Sequence, residues 1–351
     1  MPVSAATAVL VAVGLDAAFG EPPARVHPVA LFGRLVGRIE RAISSGSVDR
    51  PGRARLAGAL VALVLPLGFA GVAAGVVGVG TRIDPWIGAA LAGLALFSTT
   101  SLRLLITSAR GVIDATETDL DRARHDLRAL AGRDATELDA AHVRSAAVES
   151  LAENLADGLV APLTAFALVA GGAGLLTGSG AVPAGTSAVA ASTSLPAAAG
   201  AAAWVKGVNT LDSMLGYHSK PVGWASARLD DLVMWLPARA TALLLAIAGG
   251  SPRLPFHAET RALARRPASP NSGWPMATMA AVLSVRLRKP DAYDLDPETA
   301  VSSDASDSAK TGDGDGEGAP LPDVAAATRG IRVTRRAGLL AVAVAGVAAW
   351  W

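Results

Sequence analysis

The sequence predicts an all-α fold: a polytopic integral membrane helical bundle with cytoplasmic helical segments and re-entrant loops. Three observations carry that expectation. Of 351 residues, 51% are hydrophobic and only 17% are charged, and the mean hydropathy is +0.40. Several uncharged runs approach the ~20 residues that a bilayer-spanning helix needs. Arginines gather between those runs, the sign bias of cytoplasmic loops.

Residues 3–15 are apolar, follow no basic leader and precede no signal-type cleavage site, so they read as a retained first membrane helix. Asp16 and the turn Gly20-Glu21-Pro22-Pro23 end it. Residues 25–55 hold Arg25, Arg34, Arg38, Arg41, Arg50, Arg53 and Arg55 and read as cytoplasmic. Apolar runs follow at 56–80 and 86–97, joined through Arg82-Ile83-Asp84-Pro85 on the other side. Residues 103–149 are polar and rich in helix formers, a second cytoplasmic segment. The run 159–176 leads outward into 177–195, an uncharged Gly/Ser/Ala/Thr/Pro-rich stretch expected to be a flexible linker.

The runs 196–205 and 236–249 are shorter. Basic residues flank 236–249 on both sides, and one full span cannot have both ends inside, so re-entrant structure buried in protein is expected there. Residues 294–322 are acidic, of low complexity and expected to be disordered. Within them Asp313-Gly314-Asp315-Gly316-Glu317 lacks EF-hand spacing. The chain thus divides into a membrane-embedded domain over 1–293, an acidic linker over 294–322, and a C-terminal membrane helix over 323–351. Its terminal pair Trp350-Trp351 suits a membrane interface.

Composition also excludes chemistry. There is no cysteine, so disulfides, thiolate catalysis and Cys-ligated metals are ruled out. The five histidines form no metal-type cluster, and a net charge of +1 gives no case for nucleic acid. No P-loop, kinase set, HExxH or nucleophile elbow is present.

Four polar clusters remain. Asp16, Glu21 and His27 bracket the first turn. Glu149, Glu153 and Asp157, with Asn154, stand at the threshold of the run that begins at Leu159. At i, i+4 and i+8 the three carboxylates line one helix face. Like charges there repel, so a divalent cation, a cationic ligand or arginines must offset them, and unpaired charge beside a membrane is costly. The third cluster runs from Lys206 through Asn209, Asp212, Tyr217, Lys220, Trp224, Arg228, Asp230 and Asp231 to Arg239. Adjacent Asp230 and Asp231 point about 100° apart, so one suits an arginine and the other a ligand. Arg228 and Arg239 suit phosphate. The fourth is the rigid loop around Ser269, Asn271 and Trp274, braced by Pro270, Gly273 and Pro275.

The strings GEPPARVHPV (20–29), VESLAENLADGLVAPL (148–163), NTLDSMLGY (209–217), GWASARLDDL (223–232), PAR (237–239) and SPNSGWPMA (269–277) together resemble the CobD/CbiB family, the membrane-bound adenosylcobinamide-phosphate synthases of cobalamin biosynthesis. Asp16 and Arg34 sit at matching places beside the first string. The resemblance implies an ATP-dependent acid–amine ligase. It would join a carboxylate of adenosylcobyric acid to (R)-1-amino-2-propanol or its O-phosphate, with Mg²⁺ and ATP as co-substrate.

On that footing Glu149, Glu153 and Asp157, then Asp212, Asp230 and Asp231, are candidate Mg²⁺ ligands. Glu153, Glu149, His27 and Asp212 are catalytic candidates, with Glu153 or His27 as base. Asp16, Glu21, Asn154, Asn209, Tyr217, Lys220, Trp224, Arg228, Arg239, Ser269, Asn271 and Trp274 are substrate-binding candidates. The expected partners are the corrinoid, the amine, membrane lipid and other cobalamin-assembly enzymes, with no nucleic acid. The expected place is the cytoplasmic membrane, active site facing the cytoplasm. The sequence departs from the family where 217–223 is short, and where Arg266-Pro267-Ala268 replace a histidine before Ser269. A non-catalytic corrinoid-binding scaffold or transporter is the alternative; no inverted repeat supports a secondary transporter.

Overall fold

The computed structural model describes residues 2–47, 51–178, 184–216, 221–298 and 318–350. Among them the helices run α1 Pro2–Phe19, α2 Pro28–Ser47, α3 Pro51–Ile83, α4 Pro85–Thr99, α5 Leu102–Thr118, α6 Leu120–Ala131, α7 Ala140–Leu155, α8 Ala161–Gly178, α9 Ala184–Leu215, α10 Trp224–Val233, α11 Trp235–Ala248, α12 Ala258–Leu263, α13 Gly273–Leu283 and α14 Val324–Ala348. The expected all-α membrane class holds. The one sheet among the described residues is a hairpin, β1 Leu287–Lys289 against antiparallel β2 Tyr293–Leu295.

Local sequence explains the helix ends. The first four helices begin on proline, whose fixed φ and missing N–H suit the first helical position. Asp84 accepts from Trp86 N at 2.8 Å ahead of α4, Asp119 caps α6 and Asp139 caps α7. Gly132 closes α6 in the left-handed conformation at φ 61°.

Three segments, Gly52–Ile83, Pro85–Thr118 and Ala140–Ala173, are long and apolar enough to cross a membrane; a bent pair, Pro221–Val233 with Trp235–Ala248, makes a fourth if taken as one span. The pair is bent by 48° just before α11, the segment expected to be re-entrant. The expected first span is the short apolar helix Ala5–Phe19. The expected C-terminal span is helical but is not among these candidates. Arg329, Arg332, Arg335 and Arg336 occupy the first half of α14, leaving only residues 337–349 free of charge.

The chain forms two compact units. The first comprises Met1–Leu102, Asp157–Met234 and Ala341–Trp351. Here α3, α4, α8 and α9 pack through small residues, as membrane helices do when backbones approach closely. A Cβ on Gly200 of α9 would stand 3.2 Å from Ala70 O of α3. Phe32 and Val36 of α2 pack on Leu211 and Leu215 of α9, with Phe32 stacked on Phe69 at 4.9 Å.

The second unit comprises Arg103–Ala156 and Trp235–Leu340. Its centre is α13, nearly all buried, against α7 and α11. The hairpin lies on α7, tied by Ser145 Oγ accepting from Arg288 N at 2.8 Å.

Two expectations of irregularity need correction. Residues 184–195, expected as flexible linker, open α9; alanine has the highest helix propensity and outweighs the interspersed Ser and Thr. Residues 179–183 lie outside the described residues. The acidic segment is anchored at both ends. Asp294 pairs with Arg286, Asp296 accepts from Ala319 N at 3.3 Å, and Pro320 O accepts from Arg286 N at 2.9 Å. Its middle, 299–317, with the Asp313–Glu317 string, lies outside the described residues.

Candidate functional site

Glu149 and Glu153, two of the three carboxylates expected on one face, lie one turn apart on α7, and Asp157 lies in the turn that follows it. Helix α7 stops at Leu155, and Ala156–Val160 is a π-helical turn before α8. Single π turns inside helices are frequent at functional sites. Glu149 and Glu153 belong to the second unit and Asp157 to the first.

In the second unit Glu149 is wholly buried. Its carboxylate accepts from Arg133 Nη2 at 2.7 Å, Tyr293 OH at 2.7 Å and Ser145 Oγ at 3.0 Å. Three donors leave it little capacity for a metal. Burial, then the Glu149 charge, pushes the Tyr293 phenol upward, so it stays a donor. Burial opposes the Arg133 charge, but Glu149 and Tyr293 outweigh it and raise the guanidinium further. Glu153 is half-buried and acts electrostatically on Tyr293, while Asn154 Nδ2 donates to Leu130 O at 3.1 Å.

Arg239 is also engaged in this unit. Its guanidinium lies between the rings of Trp235 and Trp274 at 4.9 and 4.8 Å. Nη1 donates to Asn271 Oδ1 at 2.5 Å and Nη2 to Pro270 O at 3.2 Å. Ser269 Oγ accepts from Asn271 N at 3.2 Å and Ser272 N at 3.3 Å. Arg239, Ser269, Asn271 and Trp274 thus form one braced loop, in which the arginine expected to clamp phosphate contacts protein groups.

The first unit gathers the remaining carboxylates. Asn209 of α9 hydrogen-bonds both Asp157 and Asp230, as its two-donor amide permits. Lys206, one turn earlier on α9, acts on Asp157 and on Glu21. Asp212 interacts with Asp157, Asp230 and Asp231. The backbone makes this convergence possible: a Cβ on Gly223 would collide with Leu215 O, so glycine seats the start of α10 against the end of α9. Asp230 and Asp231 divide as their adjacency requires. Asp231 stands 3.9 Å from Arg228, which is largely exposed, and Asp230 turns to Asn209. Oδ1 of Asp212 and Oδ1 of Asp230 are buried and have no hydrogen-bond partner among the described residues.

The entrance turn joins this cluster through Lys206. His27 Nδ1 accepts from Val29 N at 3.2 Å, which leaves the proton on Nε2, 3.7 Å from Glu21 Oε2. Burial lowers the His27 pKa below 6.5, Glu21 opposes that shift and Lys206 adds to it. Asp16 Oδ1 accepts from Leu102 N at 3.2 Å. Trp224 opens α10 with its ring half exposed. Tyr217 and Lys220 lie outside the described residues.

Three contributors were missing from the expected site. Lys206 was visible at helical spacing from Asn209 but given no role. Arg133 and Tyr293 are distant in sequence from Glu149. The hairpin that delivers Tyr293 has a legible signal, alternating apolar and polar residues from Val285 to Leu295 around Pro290-Asp291.

A fit to Mg²⁺ rests on the orphaned oxygens. Among the described residues no group of three or more His, Asp or Glu side chains is arranged to hold a metal. Mg²⁺ bound with nucleotide needs only one or two carboxylates, the rest being water and phosphate. Asp212 and Asp230 meet that requirement.

The family model described as CobD/Cbib protein matches residues 9–315. A "Probable cobalamin biosynthesis protein CobD" of Methanothrix thermoacetophila is 32% identical over 83% of this chain and 87% of its own. Relatives named "Cobalamin biosynthesis protein CobD" in Klebsiella pneumoniae and Rhodobacter capsulatus are each 36% identical. They cover 80% and 82% of this chain and 81% and 83% of their own. No solved structure matches. With most of its length matched by both the family model and these relatives, the chain belongs to the CobD/CbiB family of cobalamin biosynthesis proteins.

Proposed function

We propose that the protein is an adenosylcobinamide-phosphate synthase of the cytoplasmic membrane, with its active site facing the cytoplasm. It condenses a propionate carboxylate of adenosylcobyric acid with (R)-1-amino-2-propanol or its O-phosphate, at the expense of ATP. The observation that carries the reading is the pair of buried, unpartnered oxygens on Asp212 and Asp230 beside Asn209 and Lys206. Buried carboxylate oxygens without a donor are costly, and a cation is the natural partner.

A carboxylate does not condense with an amine unaided. The simplest route transfers phosphate from ATP to the carboxylate, and the amine then displaces phosphate to form the amide. Mg²⁺, held by Asp212 and Asp230, would neutralise phosphate oxygens when bound. Asn209 fixes Asp230 and Asp157 against each other. Lys206 acts on Asp157 and Glu21, and it is placed to meet anionic substrate groups. Neutral His27 presents Nε2–H toward Glu21 Oε2, so it orients that carboxylate, and Glu21 takes the proton released by the attacking amine.

The test is conversion of adenosylcobyric acid by purified protein with ATP, Mg²⁺ and either amine, read by mass of the amide product. Product and stoichiometric ADP are expected. Corrinoid binding by folded protein without ADP or amide formation with either amine overturns the ligase reading in favour of a binding scaffold.

A further inference from the structure

A second polar site lies in the second unit, on the arginine-bearing half of α14. Arg329, Arg332 and Arg336 fall at i, i+3 and i+7, one face of the helix. They line a cavity of about 470 Å³ together with Ile247 of α11, Val282 of α13 and Val333. The α11 backbone ends in the same cavity at Gly249-Gly250, where Gly250 takes φ 78°. Close packing builds the walls: Gly330 of α14 faces Leu283 and Val148, and Gly249 faces Val282. No carboxylate lines the cavity, and none of the three arginines is in an ion pair or hydrogen bond with a described residue.

The three exposed guanidiniums line one cavity without a carboxylate partner among the described residues; such a patch suits a polyanionic group, and guanidinium is the side chain suited to phosphate. The other lining residues are apolar, and Ile247 is nearly half exposed. After the arginines, residues 337–349 of α14 carry no charge and leave Leu339, Val344 and Val347 exposed, an apolar surface beside the basic one. Helix α11 belongs to the bent apolar pair that can count as a span. Arginines so placed mark the cytoplasmic side, whose leaflet holds anionic lipids, and basic pockets between membrane helices there take lipid headgroups.

We infer that the cavity formed by Arg329, Arg332 and Arg336 with the end of α11 binds the phosphate headgroup of an anionic phospholipid, whose glycerol and first methylenes lie on Ile247 and Val282. A soluble phosphate compound would use the guanidiniums but leave the apolar wall without a partner. The site is independent of the carboxylate cluster and of the ligase reading.

The experiment is native mass spectrometry of the full chain in detergent. It is titrated with phosphatidylglycerol, with phosphatidylcholine of the same acyl chains, and with inorganic pyrophosphate as competitor. Phosphatidylglycerol is expected to form a retained one-to-one adduct, phosphatidylcholine is not, and pyrophosphate does not displace the lipid. Replacing all three residues (Arg329→Gln, Arg332→Gln, Arg336→Gln) should weaken phosphatidylglycerol binding about tenfold or more. The exposed control set Arg253→Gln, Arg261→Gln, Arg265→Gln, with the same change in charge, should stay within about twofold. If the triple variant does not fold, Arg332→Gln alone should give a several-fold loss. Equal retention of both lipids, an unchanged constant in the variants, or an equal loss in the control set overturns the proposal. Displacement of the lipid by pyrophosphate overturns it in favour of a soluble phosphate ligand.

Discussion

Arg133 Nη2 donates to Glu149 Oε2 at 2.7 Å, with the carboxylate wholly withdrawn from solvent. Removing one member of such a pair strands the other charge, at a cost of about 3–5 kcal/mol. Arg133→Met and Glu149→Leu should each lower thermal stability in detergent strongly. The double variant should lose less than the sum, because neither charge is then stranded. The milder Glu149→Gln should lower stability yet leave the Mg²⁺ dependence of amide formation unchanged. A shifted Mg²⁺ requirement in folded Glu149→Gln would return this residue to the metal site.

Asp212 and Asp230 should behave oppositely. Each buries an oxygen with no donor, so neutralising it relieves strain in the metal-free protein. Asp230→Asn should raise metal-free thermal stability by about 1 kcal/mol. It should also reduce kcat by about 100-fold or more, as loss of charge organisation at a reacting centre does. Titrating Mg²⁺ against rate and melting temperature checks both. A variant that is active and no more stable than the parent would remove Asp230 from the cation site.

The membrane class was legible because long uncharged runs leave few alternatives, and the caps Asp84, Asp119 and Asp139 stand where helices begin. The pairing of carboxylates was not. Helical periodicity did not announce the π turn at Ala156–Val160, and it did not reveal that Glu149 is wholly buried. Partners such as Arg133 and Tyr293 for Glu149 come from remote segments, and spacing carries no information about them. The split of Asp230 from Asp231 was legible, since adjacent helical residues diverge whatever surrounds them.

His27 gives a pH dependence with a definite sign. Burial lowers its folded pKa below the unfolded value of 6.5, so the folded state prefers neutral imidazole. Its contribution to stability is complete above 6.5 and is lost as pH falls from 6.5 through the folded pKa. Wild-type melting temperature should therefore fall over that window more steeply than that of His27→Gln, which lacks the titrating group. Parallel curves for the two proteins would show that His27 is not the group concerned.

Arg239 holds the Ser269–Met276 loop by two planar contacts and a fork of hydrogen bonds, functions that an ammonium cannot reproduce. Arg239→Lys keeps the charge but gives up the sandwich between Trp235 and Trp274 and one arm of the fork. A loss of about 1–2 kcal/mol is expected from one charged hydrogen bond and weakened stacking. Because the bracing is local, hydrogen exchange should quicken at Asn271, Ser272 and Trp274 while the amides of α7 stay protected. If Arg239 instead clamped substrate phosphate, Arg239→Lys would leave the loop amides protected and raise the KM for ATP alone.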